Sequence, residues 1–121
     1  MFATTPGTTE FVRAGKLRAL AVTTSVRVEE LPEVPPVADF IPGYESSQWY
    51  GVGAPKNTSV EIIEKLNKEI NAALADAKMK SRFVDLGGTV LPGSPADFGK
   101  LIASETEKWG KVVKFAGLKA D

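Results

Sequence analysis

The chain has 121 residues, 43% hydrophobic and 25% charged, with fifteen basic residues balancing fifteen acidic ones. That length suits one domain with a real core; zero net charge gives no basic face for nucleic acid and little protection against self-association. Cysteine and histidine are absent, which excludes disulfides, thiolate nucleophiles, zinc sites built on those residues and the usual general base near neutral pH.

In chain order, Met1-Phe2-Ala3-Thr4-Thr5-Pro6 has neither the charged n-region nor the apolar h-region of a secretory leader. Thr8 or Thr9 is expected to cap a short helix running to about Ala14, with Gly15 as its glycine stop. Leu17 to Thr23 is a short apolar run with Arg18 as its only charge, the pattern of a strand buried on both faces. Residues 25–45 read as an irregular loop, because Pro32, Pro35, Pro36 and Pro42 forbid a long helix or a central strand. A single turn over Val37–Phe40 fits after Pro36, and Pro42-Gly43 marks a turn.

Ser46 to Val52 reads as a second strand, favoured by Trp49, Tyr50 and Val52. Gly51 and Gly53 there predict close approach of another backbone or a ligand. Thr58-Ser59-Val60-Glu61 has the capping-box spacing. The helix after it carries Ile62, Ile63, Leu66, Ile70, Ala73 and Leu74 at a 3.6-residue period, with Glu61–Lys65 and Glu64–Lys68 as i,i+4 pairs.

Lys78 to Leu86 is expected as a shorter helix with Phe83 and Leu86 inward, stopped by Gly87-Gly88. Thr89-Val90-Leu91 suits a short edge strand. Ser94-Pro95-Ala96-Asp97 is a strong helix start. The last helix carries Phe98, Leu101, Ile102, Trp109, Val112 and Val113, with Trp109 in the core and Gly117 as the cap. Two or three strands cannot satisfy one another's edges. The expectation is that something is missing, supplied by a partner chain or lying outside this sequence.

No nucleophile elbow, phosphate loop or metal-ligand spacing occurs, so no catalytic residue, no metal and no cofactor is expected. Gly87-Gly88 reads as a helix stop, not a phosphate cradle. Ser46-Ser47-Gln48-Trp49 suits a carboxylate with its carbon skeleton against the indole. The competing reading, favoured about two to one because buried aromatics mostly pack, places the serines at a turn and Trp49 in the core. No segment reaches the ~20 apolar residues of a membrane span, so direct membrane insertion is not expected.

Several runs together resemble one family. They are Val12-Arg13-Ala14-Gly15-Lys16-Leu17-Arg18-Ala19-Leu20-Ala21-Val22-Thr23, Leu31-Pro32-Glu33-Val34-Pro35 and Trp49-Tyr50-Gly51-Val52-Gly53-Ala54-Pro55. Ile63 to Ile70, Gly93-Ser94-Pro95-Ala96-Asp97-Phe98 and Trp109-Gly110-Lys111-Val112-Val113 complete them. Their order and spacing resemble the Bug/TctC-type substrate-binding proteins of tripartite tricarboxylate transporters, in the C-terminal portion of a much longer chain.

The resemblance implies an α/β fold: a partial two-lobe, periplasmic-binding-protein-like (Venus flytrap) architecture with few strands and several packed helices. Residues 1–45 would belong to the second lobe (helix, strand and Pro-rich loop). Residues 46–121 would hold the crossing strand and the C-terminal helices of the first lobe. The family captures small carboxylates in the periplasm and passes them to a membrane permease, holding the anion on backbone amides at helix N-termini. Two glycine-rich binding loops of its N-terminal half have no counterpart here. The remaining ligand-binding candidates are Phe2, Ala3, Thr4, Ser46, Ser47 and Trp49; Ala3 replaces a frequent Asp and removes one polar contact.

The sequence is thus read as a solute-binding component, or a truncated remnant of one, that works without catalysis. The alternatives are a ligand-incompetent structural remnant, with a homodimer pairing its exposed sheet edges, and a small enzyme. A periplasmic location follows from the resemblance, and a cytoplasmic one if the chain is a genuine short gene.

Overall fold

The computed structural model of the chain describes residues 1–119. The last two residues of the expected 46–121 segment lie outside it. Four helices are present among the described residues: α1 (Thr5–Arg13), α2 (Val60–Ala75), α3 (Ala77–Asp85) and α4 (Pro95–Phe115), with a single 3-10 turn at Val37–Asp39.

The helix ends follow local chemistry. Helix α1 starts at Thr5, earlier than the hydroxyls of Thr8 or Thr9 suggested. Proline is set in its first turn and Thr4 precedes it in extended conformation, and proline's fixed φ suits that position. At the far end Gly15 takes a φ of 69°. The N–H groups of Lys16 and Leu17 then turn back to the Phe11 carbonyl at 2.9 and 3.1 Å. Helix α3 begins one residue before the expected Lys78, because the Asp76 side chain accepts from the N–H groups of Lys78 and Met79. Gly87 ends it with a φ of 73°. Helix α4 has the expected start: Ser94 and Asp97 form a reciprocal capping box with proline in the first turn. Ahead of α2, the Thr58 hydroxyl donates to the Pro55 carbonyl at 2.8 Å and so closes the preceding turn. Asn57 takes a φ of 70° in that turn, a conformation Asn tolerates better than most residues.

The expected strands do not form among the described residues. Leu17–Thr23 is reduced to one parallel bridge between Val22 and Pro36, with Val22 N–H on Pro35 O at 2.9 Å and Val37 N–H on Val22 O at 2.8 Å. In Ser46–Val52 the Ser46 N–H binds Thr23 O at 2.9 Å, and no strand forms there among the described residues. Thr89–Leu91 adds no edge strand. The physical reason is the one anticipated: a strand exists only through its neighbours, and the chain brings too few extended segments together. Leu20, expected to be buried, is 74% exposed.

The chain divides into two units. The first comprises Met1–Tyr50 and Ala72–Leu91; the second comprises Gly51–Asn71 and the chain from Pro92 onward. In the first, α1 meets the end of α3. A Cβ on Gly87 would lie 2.6 Å from Thr5 Cγ2, so the missing side chain is what allows the approach. Thr9 is buried and gives its hydroxyl proton to Thr5 O at 2.9 Å. Arg27 fastens the Pro-rich loop, donating to the Pro32 carbonyl at 3.2 Å and pairing with Asp39 at 3.6 Å.

In the second unit, Asn67 and Asn71 of α2 hold the lead-in to α4. Both amides donate to the Gly93 carbonyl, at 2.8 and 2.9 Å, and Gly93 N–H donates to Asn71 Oδ1 at 3.1 Å. The expected close approach at Gly51 is by a ring: a Cβ there would run into the Phe98 ring.

Among the described residues no hydrophobic side chain is fully buried. Trp109, expected in the core, stays 41% exposed and donates from Nε1 to Glu105 Oε2 at 2.9 Å. Phe83 and Leu86, expected inward, are 37% and 42% exposed. The helical stripes are thus partly exposed, with Leu66, Ile102 and Val112 at 42–45%.

Candidate functional site

The six expected ligand residues fall in two places within the first unit. Phe2, Ala3 and Thr4 lead into α1 and are exposed; Ser46, Ser47 and Trp49 follow the Pro42-Gly43 turn and are half-buried. Among the described residues no hydrogen bond joins Phe2, Ala3 or Thr4 to Ser46 or Ser47. The two groups form two patches.

The first patch is the more informative. No side chain caps the N-terminus of α1. The Thr4 carbonyl accepts from Gly7 N–H at 3.2 Å and from the Thr8 hydroxyl at 3.0 Å. Thr8 and Thr9 thus spend their hydroxyl protons on carbonyls one turn back, and neither turns toward the helix start. Pro6 has no N–H and Gly7 N–H is spent on Thr4 O, so what the start of α1 offers an anion is its positive dipole end and the Thr5 N–H. Thr8 and Thr9, expected as caps, lie inside the helix, and Thr5, which opens it, was not singled out in the sequence. The proline at position 6 was the available signal.

In the second patch, Ser46 commits its backbone N–H to Thr23 O and retains its hydroxyl. Trp49 is half-buried, short of the core position that the packing reading gave it. Elsewhere in the first unit, Glu29, Glu30, Lys80, Val84, Gly88, Thr89 and Val90 line a depression of about 200 Å³. It is smaller than the roughly 300 Å³ at which ligand pockets begin, contains none of the expected residues, and its two glutamates oppose a carboxylate guest.

Comparison with known proteins gives this arrangement a context. Residues 1–118 match the family described as "Tripartite tricarboxylate transporter family receptor". The UPF0065 protein of the tcbD–tcbE intergenic region of Pseudomonas sp. (strain P51) is 40% identical over 104 residues, covering 84% of this chain and 31% of that protein. Protein BugT of Bordetella pertussis is 37% identical over 115 residues, covering 94% of this chain and 35% of that protein.

Among solved structures, R. palustris Rpa4515 with adipate superimposes with a TM-score of 0.84 at 36% identity, covering 93% of this chain and 38% of that one. The periplasmic binding protein BugD gives 0.84 at 33% identity, covering 94% and 39%. The chain thus spans about a third of the length of these curated relatives. The superpositions identify the fold as part of the α/β periplasmic-binding-protein architecture.

Proposed function

The chain belongs to the tripartite tricarboxylate transporter receptor family, and from that premise we propose that it serves in non-catalytic capture of a small carboxylate for a membrane permease, in the periplasm. The observation that carries this reading is the family match over residues 1–118. The relative solved with adipate supports a carboxylate of that class as the guest. The positive dipole end of α1, which no side chain caps, suits an anion nearby.

In this reading residues 1–45 lie in the second lobe and residues 46–121 in the first. Phe2, Ala3, Thr4, Ser46, Ser47 and Trp49 face the ligand. The Ser46 and Ser47 hydroxyls complement the amides, and Trp49 packs on the carbon skeleton. The chain works as a homodimer.

Thermal shift with adipate, other di- and tricarboxylates and the corresponding neutral amides tests the proposal. A ligand bound to the folded chain raises stability by mass action, about 2.7 kcal/mol at a hundredfold excess over Kd. The expected result is a rise in Tm with at least one acid and none with its amide. Flat melting curves across the whole panel would overturn the proposal.

A further inference from the structure

We draw no further inference here: the strongest candidate, the exposed extended stretch Arg18–Ala21 beside the Val22–Pro36 bridge, lies bare in a chain that spans about a third of the length of the curated relatives named above, and nothing in the structure shows what covers it.

Discussion

Gly15 and Gly87 both hold a positive φ at a helix end, but their surroundings differ. A Cβ on Gly15 would meet nothing within 4 Å, whereas one on Gly87 would press on Thr5. Gly15→Ala is therefore expected to cost only the left-handed penalty, about 1–2 kcal/mol. Gly87→Ala adds a steric cost, and its urea midpoint should fall clearly below that of Gly15→Ala. Equal midpoints would mean that α1 does not pack against the end of α3. Gly15 and Gly87 were legible in the sequence as helix stops because that signal is local. The second role of Gly87 was not, since Thr5 lies far away along the chain. Gly51 behaved similarly: close approach was legible, but its partner Phe98 was not. Thr9, buried at 3% exposure, resembled any other hydroxyl in a Thr-rich stretch.

At the level of elements, caps decide where helices begin, and one of them titrates. Hydrogen bonds from the Ser94 side chain and backbone hold the Asp97 carboxyl below the usual aspartate range, with Lys100 nearby as a smaller influence. A carboxyl whose pKa is lower in the folded chain than in the unfolded one stabilises fully above the unfolded value of about 3.9. That contribution is lost as pH falls through the folded value. Wild type should therefore melt above Asp97→Asn at pH 6, and the gap should narrow as pH falls below about 3.9 and through the lower folded value. A gap that persists in acid would contradict the role of the charged cap.

The Asn67–Asn71 clamp on Gly93 is the other device at this level. Asn71→Leu loses two bonds to the Gly93 backbone and is expected to cost about 1–2 kcal/mol by urea denaturation. An unchanged midpoint would show that α2 does not hold the start of α4. The α4 cap was legible because hydroxyl, proline and acid stand together. The clamp was not, because its halves lie 22 residues or more apart. The start of α3 was misjudged by one residue because the Asp76 cap was overlooked.

For the whole molecule, the helices were legible and the strands were not realised. A helix satisfies its backbone within itself, so Val60–Ala75 and Pro95–Phe115 form from their own residues. A strand satisfies its backbone only through neighbours, and Leu17–Thr23 finds one bridge at Val22. The apolar character of that run reports a sheet, whereas its 74% exposed Leu20 reports that the sheet is not present among the described residues. The same contrast explains the candidate site. The residues of the family pattern are legible in sequence, but Phe2–Thr4 and Ser46–Trp49 remain two patches with no hydrogen bond from Phe2, Ala3 or Thr4 to Ser46 or Ser47.

The central claim is that this chain captures a small carboxylate, and titration calorimetry addresses it most directly. A linear dicarboxylate and its neutral diamide are titrated into the full chain under identical buffer. The account predicts saturable heat with the acid and none with the diamide, because an anion is what an uncapped helix start attracts. No saturable heat with any acid, or equal heat with the diamide, would contradict it.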